Sequence, residues 1–144
     1  PSTLNKREVI PQGFINQWIA LDGYTHIFGI RDNPRMKDPV PECLERVEDV
    51  SECSVARDEA LSKVAPWNNT TGIPDNVYFA DLSDYFCDEE RCYSVIGNII
   101  VYRDDNHITT EYMKTLAPML KIPLQEAFDL LDSGTFELHR TSSS

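Results

Sequence analysis

The stretch GFINQWIALDGYTHIFGI, residues 13–30, decides the fold class because it places a helix, a turn and an apolar strand in direct succession. Apolar side chains recur at helical spacing over residues 13–22 and predict an amphipathic helix. Gly23 follows, and glycine is typical just past a helix C-terminus. The run THIFGI at 25–30 is rich in β-branched and aromatic side chains, which predicts a buried strand of a parallel sheet. Together these elements form half of an α/β crossover.

The rest of the chain adds loops, short helices and further strands. The 144 residues suit one domain, 1–144, with irregular ends at 1–12 and 135–144. Three prolines predict a loop over residues 31–42. The predicted regular elements are helical stretches within 43–64, a strand at 77–80, a hairpin over 93–102 that turns at Gly97–Asn98, a helix capped by Thr109 or Thr110 that Pro118 kinks or shortens, and a last short helix ending near Gly134.

The charge balance argues against one class of partner. Thirteen basic and 24 acidic residues give a net charge of −11, and such a surface repels nucleic acid phosphates. We therefore expect no nucleic acid partner. Hydrophobic residues make up 41% of the chain, as in ordinary globular domains, and no apolar run reaches the length of a membrane-spanning helix.

The four cysteines fall into two local pairs. Nine residues separate Cys43 from Cys53, and four separate Cys87 from Cys92. An even count in two short loops favours two disulfides, Cys43–Cys53 and Cys87–Cys92, formed in an oxidising compartment. A zinc site is less favoured because neither pair has C-x-x-C spacing and no histidine lies near either pair. The alternative is a cytosolic α/β domain with four reduced thiols.

The segment YRDDNHIT, residues 102–109, contains the strongest signal for chemistry. Asp104 and His107 stand three apart in a predicted loop between an apolar hairpin and a helix. In such a turn the Asp104 carboxylate can accept a hydrogen bond from the imidazole, which fixes the ring tautomer and stabilises its protonated form. A histidine held in this way can act as a general base toward a serine hydroxyl. Asp–His pairs at this spacing also occur as helix caps, so a structural role is the alternative.

These features occur in a characteristic order along the chain. A cysteine loop near 43–53 is followed by a strand that ends in an acidic residue, a second cysteine pair at 87–92, a short hairpin, YRDDNHIT and a helix. This order resembles the C-terminal part of an SGNH-type domain. The similarity is closest to the extracytoplasmic SGNH domains attached to membrane acyltransferases of family 3, which include peptidoglycan and other cell-envelope O-acyltransferases. FGIRDNPR at 28–35 adds to the resemblance, which extends over about residues 15–122.

The resemblance implies a three-layer α/β/α, flavodoxin-like SGNH hydrolase fold. It also implies a serine O-acyltransferase, such as an O-acetyltransferase, or an esterase that acts on a cell-envelope glycan outside the cytoplasm. The family's D-x-x-H motif then matches Asp104 as the orienting acid and His107 as the base, followed by Ile108 and Thr109. The implied partners are an acyl donor, a glycan acceptor and a membrane acyltransferase domain of the same protein that tethers it to the membrane. No cofactor is expected.

The sequence departs from the family pattern in its first half. SGNH enzymes have their nucleophilic serine in a G-D-S block near the domain N-terminus, and this sequence contains neither that block nor the oxyanion-hole Gly and Asn blocks. We therefore expect an incomplete fold that lacks the first βα units, with the catalytic serine outside this chain. The missing half is then a further partner, and the chain alone is inactive. The serines without a catalytic motif around them are Ser51, Ser54, Ser62, Ser83 and Ser94.

Polar residues after the two predicted strands are weaker candidates for substrate binding. Arg31, Asp32 and Asn33 follow the first strand, at the sheet edge where open α/β folds bind ligands. An ordinary polar loop is the favoured alternative. Asp81 and Asp84 follow the next strand and are expected at the same edge. Too few oxygen ligands converge for a metal site, so we expect none.

Two further interpretations stay open at this point. Trp18 and Trp67 have rings that can stack on sugars, although core packing or loop anchoring is favoured for both. The whole chain can also be a non-catalytic, secreted, disulfide-stapled binding or interaction module, in which Asp104 and His107 are structural. A G-D-S segment upstream in the parent gene would favour the enzyme over the module.

Overall fold

The computed structural model describes residues 8–140, and their contacts divide the chain into two units that are described separately. The disulfide unit comprises residues 8, 32–63 and 82–118, and the sheet unit comprises residues 9–31, 64–81 and 119–140. Residues 1–7 and 141–144, which belong to the predicted irregular ends, lie outside the described residues.

The described residues contain short strands, short helices and one long helix. They are α1 (Gln12–Leu21), β1 (Ile27–Ile30), α2 (Val40–Leu44), β2 (Val55–Ala56), α3 (Arg57–Ala60), β3 (Val77–Ala80), β4 (Arg91–Cys92), β5 (Val95–Ile96), β6 (Ile99–Ile100) and α4 (Thr110–Ser133). Turns of 3-10 helix lie at Val50–Cys53, Pro66–Asn69, Ser83–Tyr85 and Phe136–Leu138. The last falls within the 135–144 segment predicted to be irregular, because the buried Phe136 side chain holds the chain there.

This mixed α/β content confirms the predicted fold class. The described sheets are small, and the arrangement is consistent with an incomplete flavodoxin-like fold. Within residues 8–140, no helix is both long and apolar enough to cross a lipid bilayer.

The sheet unit is built on a parallel pair of strands. β1 and β3 run in register from Ile27 opposite Val77 to Ile30 opposite Ala80, which confirms the parallel strand predicted from THIFGI. Parallel strands need a long crossover connection, and residues 31–76 provide it. Ile30 is 50% exposed, so β1 is less buried than predicted. Its one strand neighbour among the described residues is β3.

The end of α1 is positioned by a glycine and a buried asparagine. Gly23 has a φ of +85°, which side chains disfavour, and the N–H of Thr25 donates to the Leu21 carbonyl at 3.1 Å. This confirms the predicted helix end. Asn76, directly before β3, is buried and donates its amide N–H to the Thr25 carbonyl at 3.2 Å. That hydrogen bond ties the turn after α1 to the start of β3.

The disulfide unit has both predicted disulfides, Cys43–Cys53 and Cys87–Cys92. β2 pairs antiparallel with β4, and β5 pairs with β6 in the predicted hairpin. Gly97 and Asn98 turn this hairpin with φ of +57° and +60°, as a type I′ turn requires. The buried core of the unit consists of Met36, Val40, Val55, Ala60, Leu61, Phe86, Cys87, Cys92, Val101, Tyr102, Tyr112 and Leu116.

The helices predicted within 43–64 are much shorter than expected. α2 ends at Leu44, and α3 covers only Arg57–Ala60. The Cα atoms of the Cys43–Cys53 disulfide are 6.0 Å apart, whereas ten residues of α-helix rise about 15 Å. The chain must therefore fold back between the two cysteines, and Val55–Ala56 then pair with β4 instead of continuing a helix.

The last two predicted helices, of which the first contains Pro118 and the second ends near Gly134, form one helix. α4 runs from Thr110–Ser133 through Pro118 and Pro123. A proline has no N–H and leaves the carbonyl four residues earlier without its helical donor. Pro118 and Lys114 are both exposed, so water can hydrogen-bond to that carbonyl. As predicted, the helix stops before Gly134, whose φ is +71°.

Replacing each cysteine pair by serines should lower the free energy of unfolding, because the cross-link no longer restricts the denatured chain. The sequence separation is 10 residues for Cys43–Cys53 and 5 for Cys87–Cys92. We expect losses of about 3 and about 2 kcal/mol, respectively, in urea denaturation of the two double variants. Titration of the denatured, unreduced chain should find no reactive thiol, and four reactive thiols would contradict both disulfides.

Candidate active site

Residues 103–107 form a closed loop, here called the 103–107 loop, in the disulfide unit. The N–H of Arg103 donates to the His107 carbonyl at 2.9 Å. Tyr102 and Ile108, which flank the loop, pair as an antiparallel bridge, and Tyr102 is fully buried. Both ends of the loop are therefore fixed on the core of the unit.

The side chain of Asp104 organises this loop. Its Oδ1 accepts hydrogen bonds from the N–H of Asn106 at 2.8 Å and from the N–H of His107 at 2.6 Å. Its Oδ2 lies 2.6 Å from Nδ1 of the His107 ring. The contact between ring and carboxylate that the D-x-x-H spacing predicts is thus confirmed. The catalytic role of the pair stays a prediction.

These contacts keep the carboxylate ionised. The pKa of Asp104 is lowered to about 2, first by the backbone hydrogen bond from His107, then by that from Asn106, and further by the His107 ring. A carboxylate facing Nδ1 favours the neutral tautomer that has its proton on Nδ1.

The other ring nitrogen of His107 is open. The side chain is 59% exposed, and Nε2 has no hydrogen-bond partner within the described part of the chain. With Nδ1 held by the carboxylate, Nε2 carries the lone pair of the neutral ring. The arrangement can therefore accept a proton from a hydroxyl group that approaches Nε2.

A second segment, residues 33–40, holds the loop by hydrogen bonds to its backbone. It donates to three successive loop carbonyls. The N–H of Val40 bonds to the Asp104 carbonyl at 3.1 Å, and the N–H of Met36 bonds to the Asp105 carbonyl at 2.8 Å. The Asn33 amide donates to the Asn106 carbonyl at 2.6 Å. The 33–40 segment thus fixes the loop that contains the Asp–His pair.

The 33–40 segment is itself rigidly placed. Pro34, Met36 and Val40 are buried, and the latter two belong to the core of the disulfide unit. The Cys43–Cys53 disulfide follows directly after it. Because these anchors are buried, the donors of the segment stay at one position relative to the loop carbonyls.

Asn33, predicted as a weak substrate-binding residue, has internal partners in the structure. Its amide nitrogen donates to the carbonyls of Asn106 and Pro34. Asp32, its neighbour, is exposed; it accepts the N–H of Asn33 at 3.0 Å and lies 3.8 Å from Arg35. A substrate contact by Asn33 or Asp32 stays a prediction, and the structure adds a bracing role for Asn33.

The remaining predicted ligand residues form ion pairs within their own units. Arg31 belongs to the sheet unit, where its side chain is 5% exposed and its guanidinium lies 2.9 Å from Asp81. Asp84 belongs to the disulfide unit and pairs with Arg57 at 2.9 Å. Within residues 8–140, no three His, Cys, Asp or Glu side chains are grouped as metal ligands would be.

The chain leaves the loop through a capped helix. Thr109 accepts the N–H of Tyr112 on its hydroxyl oxygen at 3.2 Å and donates the hydroxyl to the Ile100 carbonyl at 2.6 Å. The predicted threonine cap is therefore confirmed at Thr109. The cap ties the start of α4, which follows the loop in the sequence, to β6.

One comparison with known proteins gave a match. A family model described as the SGNH domain fused to AT3 domains matches residues 16–121. The matched range contains both disulfides, the 33–40 segment and the 103–107 loop. Comparisons with curated proteins and with solved structures gave no match.

Replacing Asn33 by alanine should loosen the loop, because it removes one of the three hydrogen bonds to the loop carbonyls. We expect a loss of about 1 kcal/mol in the free energy of unfolding. Amide hydrogen exchange measured by NMR should become faster at Asn106 and His107. The matched control is Asn69→Ala, at an exposed asparagine of the 3-10 turn Pro66–Asn69, which should change neither quantity. Unchanged exchange in the Asn33 variant would show that its amide does not hold the loop.

Proposed function

Because this chain belongs to the family of SGNH domains fused to AT3 domains, we propose that its 103–107 loop supplies the base of a serine O-acyltransferase or esterase. Family membership supports a hydrolase- or acyltransferase-like domain in general. The observation that carries the finer assignment is the 2.6 Å contact between Asp104 Oδ2 and His107 Nδ1, with Nε2 exposed. In this assignment His107 is the general base, and Asp104 holds its tautomer.

The proposed reaction proceeds through an acyl-enzyme. Nε2 of His107 takes the proton of a serine hydroxyl while the serine oxygen bonds to the acyl carbonyl carbon, and backbone amides stabilise the oxyanion. The bond to the leaving group of the donor then breaks, and His107 returns the proton to that group. Next, a sugar hydroxyl gives its proton to His107 and attacks the acyl-enzyme. The serine leaves with that proton, and the acyl group is on the sugar.

We place the serine and the oxyanion donors outside these 144 residues, in the missing half of the domain. The absence of a G-D-S block from the sequence supports this placement. The hydroxyls of Ser54 and Ser94 also donate to backbone carbonyls, of Ser51 and Cys53 respectively. A hydroxyl held in this way is not presented to a base.

The proposed acceptor is a cell-envelope glycan, and the proposed donor side is a membrane acyltransferase domain of the same protein. The family description, which joins the SGNH domain to AT3 domains, supports this pairing. Such a domain would also tether the chain to the membrane. The two disulfides support an oxidising, extracytoplasmic compartment.

The substitution His107→Ala in the complete parent protein tests the assignment. We expect kcat/KM for acetyl transfer to the glycan, and for hydrolysis of p-nitrophenyl acetate, to fall by about 10³-fold or more. The free energy of unfolding should change by less than about 1 kcal/mol, because the His107 side chain is 59% exposed.

The chain offers a matched control for this variant. Nε2 of His26 lies 2.9 Å from Glu137 in a second exposed histidine–carboxylate pair. The substitution His26→Ala should leave the rates unchanged. If His107→Ala keeps full activity, or if its activity falls only as far as its folded fraction, the pair is structural. The secreted binding module is then the better account.

A further inference from the structure

The sheet unit contains a cleft of about 1000 Å³ that the proposed reaction does not use. β3, the 3-10 turn Pro66–Asn69 and the C-terminal part of α4 form its walls. Trp67 and Phe79 form an aromatic part of its lining, here called the aromatic wall, and polar side chains of α4 form another part, the polar wall. Asp104 and His107 do not line it.

The aromatic wall is a rigid platform. The rings of Trp67 and Phe79 stack with an interplanar angle of 3° and centroids 4.8 Å apart. Phe79 packs closely on its neighbours, because a Cβ atom at Gly29 would lie 3.0 Å from its ring and the Trp18 ring meets it at 67° with centroids 5.7 Å apart. Trp67 lines the cleft and is only half-buried, so part of its ring is accessible from the cleft.

The polar wall consists of hydrogen-bond acceptors on α4. Glu126 and Asp129 are three residues apart, so they lie on the same helix face. Glu126 Oε2 accepts the Tyr78 hydroxyl at 2.7 Å, and Asp129 Oδ1 accepts the Gln125 amide at 3.0 Å. Each carboxylate keeps its second oxygen for a further donor.

The charges in the cleft select against ionic ligands. The two carboxylates repel anions such as phosphate. Burial, followed by the hydrogen bond to Glu126, raises the pKa of Tyr78 to about 12, so the hydroxyl keeps the proton that it donates to Glu126. The Arg140 guanidinium, which lines the same cleft 6.0 Å from the Phe79 centroid, repels ligand cations. A ligand with many hydroxyl donors, an apolar ring face and no charge fits what remains.

We propose that this cleft binds a neutral sugar, which stacks its apolar ring face on Trp67 and donates hydroxyls to Glu126 and Asp129. A concave site with an aromatic floor and a few placed polar groups is the usual form of a small-ligand site. Both tryptophans pack against Phe79, as the favoured interpretation expected, and the proposal adds a sugar contact for Trp67. The cleft is a binding site without a catalytic role, and it does not depend on the Asp–His pair.

Fluorescence of the chain with Trp18→Phe tests this proposal, because Trp67 is then the one remaining tryptophan. The probes are tri-N-acetylchitotriose, cellotriose and maltotriose, with spermidine and inorganic phosphate as charged comparisons. We expect at least one trisaccharide to change the Trp67 emission in a saturable way, with a Kd on the order of 1 mM or lower. Circular dichroism checks that the variant is folded.

A second substitution separates specific binding from a general effect on the indole. Asp129→Ala in the Trp18→Phe background should weaken trisaccharide binding about tenfold or more. Asp132→Ala, at an exposed position of the same helix outside the cleft, should leave the Kd unchanged. The proposal is overturned if no trisaccharide gives a saturable change, if only spermidine or phosphate does, or if Asp129→Ala binds as tightly as the parent. Such a result would leave the proposed acyl transfer untouched, because that rests on His107.

Discussion

The carboxylate of Asp104 is the group on which the candidate active site depends. One oxygen accepts two backbone N–H groups of its own loop, and the other meets the His107 ring. A single side chain therefore sets both the path of the loop and the orientation of the imidazole. Both functions need the charged form, and the backbone hydrogen bonds lower the pKa of Asp104 to about 2, so the carboxylate stays charged at neutral pH.

Two sets of hydrogen bonds hold the 103–107 loop, one within the loop and one from the 33–40 segment. Asp104 takes up N–H groups inside the loop, while the 33–40 segment donates to its carbonyls. The loop is neither helix nor sheet. These hydrogen bonds nevertheless pair its backbone N–H and carbonyl groups, as a rigid site requires. The buried Met36 and Val40 and the nearby Cys43–Cys53 disulfide hold the 33–40 segment. The orientation of His107 thus depends on a segment about seventy residues earlier in the sequence.

Features set by contacts between near neighbours could be predicted from the sequence. The stop of α1 at Gly23, the hairpin turn at Gly97–Asn98 and the Asp104–His107 contact all involve residues a few positions apart, where spacing determines geometry. The parallel pairing of β1 was also predictable, because apolar runs of strand length are typical of parallel sheets. The order of these motifs also indicated an SGNH-type domain, which the match over residues 16–121 supports.

Features set by long-range contacts could not be predicted in this way. Asn33 was a candidate ligand residue because it follows the first strand at the sheet edge, and no local pattern indicates that its amide reaches Asn106. The helical periodicity within 43–64 was real but was overridden, since the disulfide requires the chain to reverse. Pro118 was expected to kink or shorten a helix that a separate short helix would follow, yet its exposed position lets α4 continue to Ser133. The platform of Trp67 on Phe79 likewise depends on two segments that only the fold brings together.

The contact of Asp104 with Nδ1 requires that the neutral His107 ring hold its proton on Nδ1 and its lone pair on Nε2. Long-range ¹H–¹⁵N NMR of the ring nitrogens, recorded on this chain at a pH where the imidazole is neutral, measures the tautomer directly. We predict a protonated Nδ1 and a bare Nε2, and a change of this pattern in Asp104→Ala. A neutral ring protonated on Nε2, with the same pattern in Asp104→Ala, would contradict the account, because Nε2 could then not accept a proton from a serine.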